Sequence, residues 1–534
     1  MSIQNKNVDI FIIGGGINGC GIARDAAGRG YRVALAEMND LASATSSAST
    51  KLFHGGLRYL EFLEFRLVRE ALIEREVLLR AMPHISWPMR FVLPFHNDMR
   101  FENDTPTSKI LSFLLPWMKS RRPSWLIRFG LFLYDNLGGR KILPATKTLK
   151  LRSCDEGIPL MSKFEKAFEY SDCWVEDSRL VVLNARDAHA KGASINVQSK
   201  VISATFTSGL WQVVTRNIDG FEQTTTAKMI VNAGGPWVED IIRSIVRLNS
   251  TEGVRLIRGS HIVTKKLYDH DKCYFFQGED GRIVFSIPYE DDFTLIGTTD
   301  ADHDDPSIKP VCTSEEMLYL IDFANKYFMH SISTDDVLWT YSGVRPLYND
   351  GASSATAATR DYVLKVNHSE GGPVLNIFGG KITTYRKLAE SALELIDKEF
   401  KRKTNKWTAK ASMPGGNFPV NGVKRLCDKL AKSLPFLPEK TIKRLIRQYG
   451  TEAAIIFAGC TSMEHLGKNF GHGIFQKELD WAIANEWVSQ ADDFLWRRSK
   501  LGLRLCDEEK DEMNAYIAKY TLDQRMKSEN RMLN

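Results

Sequence analysis

"IIGGGINGCGIARDAAGRGYRVALAE", Ile12 to Glu37, sets Gly14, Gly16, Gly19, Ala23, Gly30, Val33 and Glu37 at fixed offsets. A lone G-x-G-x-x-G says little, because glycines cluster in many turns, so the flanking residues decide the reading. Val8 to Ile13 is an apolar run of strand length and the residues after Gly19 suit a helix, which puts the glycines at a strand–turn–helix junction. Gly14 would make the sharp turn, Gly16 would let the backbone approach a pyrophosphate, and Gly19 would let helix and strand pack closely. The pyrophosphate would then meet the free N–H groups and positive end of the helix. Glu37 closes the second strand, where a carboxylate can accept hydrogen bonds from a ribose diol. An acid there, in place of an arginine, argues against a 2′-phosphate. The stretch predicts a dinucleotide site in an α/β fold.

Around it lie 534 residues, 43% hydrophobic and 25% charged, an ordinary globular composition. A net charge of +6 is modest for this length and does not point to nucleic acid; it favours anionic substrates or an anionic membrane surface. Eight scattered cysteines include no C-x-x-C and no metal-type spacing with histidine, so no metal is expected and a reducing cytoplasm is. The N-terminus shows no secretory signal pattern, and no uninterrupted apolar run reaches about 18 residues, so no bilayer span is expected.

After Glu37 a small, hydroxyl-rich stretch leads into "EFRLVREALIEREVLLRAM", apolar at helical spacing. From Pro88 strand-like text dominates, including "GLWQVVT", "RLIRGSHIVTKK" and "RDYVLKVN", read as an antiparallel sheet inserted between pieces of the dinucleotide fold. "VLNIFGGKITTYRKLAESALELIDKEF" reads strand, glycine turn, helix. Beyond Met413 the composition turns helical, and "YIAKYTLDQRMKSENRMLN" reads as a frayed tail. The expected division is a dinucleotide domain in three pieces (1–87, 171–250 and 371–412), a cap and membrane-contact region (88–170), a substrate sheet (251–370) and a helical domain (413–534).

"SSASTKLFHGGLRYLE", "FEYSDCWVEDSRLV", "VNAGGPWV", "RGSHIV", "IGTTD", "TYSGVRPL", "TRDY" and "FGGKITTYRKLAE" follow the fingerprint in that order. With it they resemble the FAD-dependent glycerol-3-phosphate dehydrogenases, and the last stretch resembles that family's helical C-terminal domain. The resemblance implies a glutathione-reductase-type FAD domain, an inserted antiparallel substrate sheet and a C-terminal helical domain. It also implies oxidation of sn-glycerol 3-phosphate to dihydroxyacetone phosphate, with electrons passing through FAD to membrane quinone. The stretch Glu102 to Pro123 looks longer than the family's usual connection, and its role does not carry over.

Four needs follow: a held flavin, a cation pocket for a phosphate dianion, an acceptor for the C2 hydroxyl proton and a place for hydride. The fingerprint answers the first, with Thr45, Ser46, Ser47 and Ser49 able to curl over pyrophosphate and flavin, and Gly234 in "VNAGGPWV" beside them. Gly380, Lys381 and Thr383 mark a second flavin contact, where a helix start can stabilise charge growing on the ring. The phosphate grip falls to Arg58, Arg345, Arg360 and Lys381, since arginine's planar fork suits phosphate oxygens. For the proton acceptor His54 stands first, four residues before Arg58, with His261 as its competitor and water as a third option.

Lys109 to Lys141 mixes Trp117, Trp125, Phe129 and Phe132 with Lys119, Arg121, Arg122 and Arg128, the make-up of an interfacial anchor or of packed amphipathic helices. Peripheral attachment to the inner face of the cytoplasmic membrane is the expectation. Oligomeric state stays open, a homodimer among the options. Two rival functions are a glycerophosphate oxidase using oxygen and a flavin-bearing binding or sensor protein without turnover.

Overall fold

The computed structural model describes residues 6–96, 99, 106–107, 123–278, 282–349, 361–369 and 372–533. β1 (Lys6–Ile13) carries Ile10, Phe11 and Ile12, each at most 1% exposed. A strand buried on both faces belongs inside a parallel sheet covered by helices. β1 is such a strand: it pairs in parallel with β2 (Val33–Ala36) on one side and with Glu222–Asn232 on the other. Gly372–Phe378 and Ser194–Asn196 extend the sheet outward, also in parallel.

The helix α1 (Ile17–Gly28) follows β1 directly, and small residues let it settle on the sheet. Gly14 has φ +111°, and a Cβ there would lie 2.5 Å from the Ala233 carbonyl oxygen. A Cβ on Gly19 would come within 2.0 Å of the Gly14 carbonyl oxygen. A Cβ on Gly16 would meet only the Ser46 hydroxyl, at 3.2 Å. The three glycines therefore serve different ends: backbone turn, helix-to-strand contact and an open face toward the cleft.

A second, mostly antiparallel sheet of ten strands stands beside the first. Its long members are Ser86–Phe95, Lys166–Val175, Val254–Lys265 and Val337–Tyr348, the last two paired antiparallel along nearly their whole length. The inserted substrate sheet expected from the sequence is this layer, but several segments sit elsewhere. Leu210–Asn217, read with the inserted sheet, pairs with Glu222–Asn232 in the dinucleotide sheet, and Leu52–Phe53, placed in the first dinucleotide piece, pairs with Lys166–Val175. Val363–Ser369, grouped with the substrate sheet at 251–370, pairs antiparallel with Gly372–Phe378 and so closes the edge of the dinucleotide sheet. Lys166–Val175, divided at 170 in the expected scheme, runs unbroken within the substrate sheet. In each case cross-strand pairing, which alternation of side chains does not encode, decides membership.

The C-terminal region is helical, with Val423–Ser433, Glu439–Tyr449, Gln476–Glu486 and Asp507–Leu533 as its main elements. The terminal stretch expected to fray continues as helix because Met513 and Ile517, both fully buried, pin its first turns. Buried ion pairs fasten the region to the dinucleotide fold: Arg498 grips Asp40 at 2.6 and 2.8 Å, and Arg179 meets Glu486 at 2.5 Å.

Gly19→Ala forces a methyl group against a backbone carbonyl that has no side-chain freedom to yield. Overpacking of this kind costs about 1–3 kcal/mol. Denaturant unfolding should show that loss together with reduced flavin content in the purified protein; unchanged stability and full flavin would mean that the turn relaxes.

Candidate active site

Two clefts, each of about 360 Å³, open where the sheets meet, and Ile17, Thr45, Ser46, Pro346, Gly379 and Gly380 line both. The first runs over the glycine turn past Gly14, Gly16, Glu37, Asn39 and Gly234. Glu37 Oε2 accepts from the Gly15 N–H at 2.7 Å and Oε1 from the Asn39 N–H at 2.9 Å. Burial pushes this carboxyl above its ordinary value while these backbone donors pull it down. Its position at the cleft wall suits a ribose diol.

Ser46 Oγ accepts from the Ile17 N–H at 3.0 Å, capping the first free donor of α1 at the place a pyrophosphate would occupy. Asn18 donates to the Gly379 carbonyl at 3.1 Å, and its buried Oδ1 has no partner among the described residues. An unmet buried acceptor and a glycine-lined cradle are what a dinucleotide with hydroxyl donors would satisfy. The residues present fit the group.

The other hydroxyls divide. Thr45 lines both clefts and donates to the Val344 carbonyl at 2.6 Å, tying the flavin loop to the substrate sheet. Ser47 donates back to the Ala44 carbonyl at 3.3 Å, a local turn contact. Ser49 donates to buried Asp177 at 2.8 Å.

The second cleft gathers His54, Arg58, His261, Arg345 and Lys381 from four separated stretches of chain. Arg360 lies outside the described residues. Lys381 sits 4.0 Å from the centre of the Tyr59 ring, which steadies the ammonium over an aromatic face. Arg345 donates to Asp300 and to the Thr299 carbonyl, the latter at 3.1 Å. Asp300 aims the guanidinium without burying it. Thr383 is buried and accepts from the His54 N–H at 3.3 Å, so it positions His54 from behind.

His261 is 2% exposed, stacks on Tyr341 with ring centres 4.6 Å apart, and shares a 3.0 Å hydrogen bond between Nε2 and Thr50 Oγ1. Burial, with Lys51 and Arg345 adding to it, holds its pKa well below that of an ordinary imidazole. It stays neutral across the physiological range. Its Nδ1 has no partner among the described residues, leaving one ring nitrogen uncommitted.

Sequence reasoning missed the residues that hold this arrangement. Tyr134 Oη accepts from the Gly55 N–H at 2.7 Å and donates to Asp172, which also takes the Gly55 N–H at 3.2 Å. Arg75 meets Asp172 at 2.6 Å, both side chains nearly wholly buried. Lys51 Nζ lies 2.9 Å from Asp177 Oδ2, again fully buried. The signal was present in "FEYSDCWVEDSRLV", where acids interrupt a stretch otherwise fit for a buried strand. A carboxylate in such a place demands a partner, though the pattern does not say which.

Comparison with known proteins gives a family model described as "FAD dependent oxidoreductase" over residues 9–386 and one described as "C-terminal domain of alpha-glycerophosphate oxidase" over residues 406–524. The chain belongs to the FAD-dependent oxidoreductase family. Its cofactor is FAD, and the glycine cleft described above is where this oxidoreductase would hold it. It is 46% identical over 508 residues to D-erythritol 1-phosphate dehydrogenase of Brucella abortus, covering 95% of this chain and 97% of that protein. It is equally 46% identical to glycerol-3-phosphate dehydrogenase of Pseudomonas tolaasii, covering 96% and 95%, and 43% identical to aerobic glycerol-3-phosphate dehydrogenase of Escherichia coli, covering 96% and 98%. In fold it resembles the glycerol-3-phosphate dehydrogenase of Bacillus halodurans complexed with FAD, with TM-score 0.70, 24% identity, and 97% and 95% coverage.

Asp172→Asn keeps the shape of the side chain but leaves the Arg75 charge buried without its counter-ion. Breaking a buried pair in this way costs about 3–5 kcal/mol. Chemical unfolding should show a loss of that size, and the His54–Arg58 loop, freed at Gly55, should become protease-sensitive in the folded protein. A stability change under 1 kcal/mol would mean that water satisfies Arg75.

Proposed function

We propose that this oxidoreductase converts sn-glycerol 3-phosphate to dihydroxyacetone phosphate and delivers the electrons to membrane quinone. The observation that carries the reading is the convergence of Arg58, Arg345 and Lys381 with two histidines on a cleft that shares a wall with the dinucleotide cleft. A phosphate dianion suits three cations, and Asp300 keeps the Arg345 fork oriented so that ordering it costs little on binding. The activities for which the relatives are named support the same substrate class.

Bound FAD supplies the acceptor for the hydride that leaves C2. The protein's part is to hold the phosphate, present C2 to the shared wall and take the hydroxyl proton. His54 remains the first assignment for that proton, on a loop fixed by Tyr134, Asp172 and Thr383. His261 is the rival: its imidazole is neutral and faces the cleft, but the burial and neighbouring cations that keep it neutral also weaken it as a base.

Arg345→Leu should lower kcat/KM for glycerol 3-phosphate by about a hundredfold or more, the loss expected when a charge-assisted hydrogen-bonded grip is removed. Flavin content should stay normal, and Arg345→Lys should recover only part of the rate because the planar two-point grip is lost. Unchanged kinetics in both variants would move Arg345 out of the substrate pocket. A second substrate is favoured by the 46% identity to D-erythritol 1-phosphate dehydrogenase. Comparing kcat/KM for glycerol 3-phosphate and D-erythritol 1-phosphate decides which is native, and peroxide release in air would instead favour an oxidase.

The membrane reading rests on the helix Ser124–Asn136. Leu131 and Tyr134 face inward, whereas Trp125, Phe129 and Phe132, at one-face spacing, are 58%, 52% and 57% exposed. Leu63 and Phe65, which follow the short helix that this one packs against, are exposed too. The exposure of these three aromatics supports an interfacial anchor over packed amphipathic helices. Trp117, Lys119, Arg121 and Arg122 lie outside the described residues. No helix among the described residues is long and apolar enough to cross a membrane, so attachment would be interfacial.

Changing Trp125 and Phe129 to Ser should leave flavin reduction by substrate intact, cut co-sedimentation with anionic vesicles severalfold and lower quinone-linked turnover in membranes. Wild-type sedimentation and turnover in that variant would place the docking surface elsewhere.

A further inference from the structure

A third cavity, of about 670 Å³, lies away from the flavin and substrate clefts, between the substrate sheet and the C-terminal helices. One wall is apolar, built from Trp87, Met89 and Trp174 on the strands Ser86–Phe95 and Lys166–Val175. The other is the helix Glu439–Tyr449, which turns Lys440, Lys443, Arg444 and Arg447 toward the cavity at offsets of three, four and seven residues. A basic helix face normally looks only to open solvent; this one also borders a cavity that is open to solvent on one side.

The charges there are unevenly matched. Arg444 is neutralised by buried Glu478 at 2.7 and 2.8 Å. Lys440 and Lys443 lie 3.1 Å from Asp292 and 3.3 Å from Asp291, pairs exposed to solvent and therefore weak. Arg447 has no carboxylate partner among the described residues. It stands 4.2 Å over the Trp87 ring and donates to the Pro83 carbonyl at 3.2 Å, and burial draws its pKa down to about 10. Arg504 donates through Nη2 to Asp292 at 2.6 Å and to the Glu290 carbonyl at 2.5 Å, while its buried Nη1 has no hydrogen-bond partner among the described residues. Lys500, also buried, donates to the Trp496 carbonyl at 2.7 Å and lies 3.8 Å from Asp177. On the acid side, Glu176 accepts from Trp174 Nε1 at 2.6 Å, while burial, with Glu176 beside it, pushes Glu290 up to about 8. Glu176 is raised by burial as well, so the two acids together oppose an anion less than two ordinary carboxylates would.

We infer that this cavity is a second oxyanion site, separate from the substrate pocket, in which Arg447, Lys500 and Arg504 hold a small, multiply charged phosphate ester or carboxylate. Lys440 and Lys443, held only by exposed pairs, are free to turn inward onto it. The test is calorimetric titration of the FAD-loaded enzyme with inorganic phosphate and, separately, citrate, at constant ionic strength set with chloride. Wild type, Arg345→Leu, Arg447→Gln and the double variant are compared. One saturable site should survive Arg345→Leu and weaken at least tenfold when Arg447→Gln is added, while Arg447→Gln alone keeps its flavin and its reduction by substrate. The tighter of the two anions reports whether the site prefers phosphate or carboxylate. Should circular dichroism show Arg447→Gln unfolded, the exposed pair Lys440→Gln and Lys443→Gln replaces it, with at least threefold weakening expected. Loss of all saturable binding in Arg345→Leu, or binding indifferent to the cavity variants, would overturn the inference.

Discussion

Two buried carboxylates, five residues apart, hold the catalytic cleft open from behind. Asp172, near the end of the strand Lys166–Val175, ties down Gly55 directly and through Tyr134. Asp177, at the start of the next helix, takes Lys51 and the Ser49 hydroxyl. Between these anchors the chain from Ser49 to Gly55 is fixed at both ends, with Thr50 against His261 and His54 against Thr383. Each carboxylate is almost wholly buried and has a cationic partner, Arg75 or Lys51, so neither is left as an isolated charge in a low-dielectric interior. The cleft-lining loops before Ser49 and after Gly55 inherit their positions from this one strand-to-helix junction.

The C-terminal domain is fastened to the same framework. Asp40, three residues beyond Glu37, is gripped by Arg497 and Arg498, and despite burial these guanidinium groups hold its carboxyl below the ordinary range. Arg186 adds a two-point contact to Glu452 at 2.7 and 2.9 Å. The loop that ends the adenosine side of the flavin cleft is thus shared between two domains. That gives the helical domain a structural reason to remain docked, apart from any ligand it binds.

Much of this was legible in the sequence where the chemistry is local. The glycine spacing foretold both the turn at Gly14 and the close contact at Gly19, because each follows from backbone geometry within a few residues. The cleft-lining cations stood out because Arg58, Arg345 and Lys381 lie inside motifs that resemble the family's, and Arg345 also interrupts an otherwise apolar stretch. What the sequence hid was partnership at long range. Asp300 beside Arg345, Tyr134 beneath Gly55 and Asp177 beneath Lys51 are between 45 and 126 positions from their partners, and no periodicity records such pairs. Sheet membership was hidden for the same reason: Val363–Ser369 alternates like any strand, and only its hydrogen bonds to Gly372–Phe378 place it.

The proposed reaction requires a phosphate grip that presents a polyol carbon to FAD at the wall shared by the two clefts. The most direct measurement is anaerobic mixing of the FAD-loaded enzyme with glycerol 3-phosphate, followed by its oxidised-flavin absorbance, with unphosphorylated glycerol in parallel. Rapid, complete bleaching by glycerol 3-phosphate, none by glycerol at the same concentration, and return of the absorbance when a soluble quinone is added are expected. Bleaching by neither compound, or by both alike, would contradict the proposed reaction.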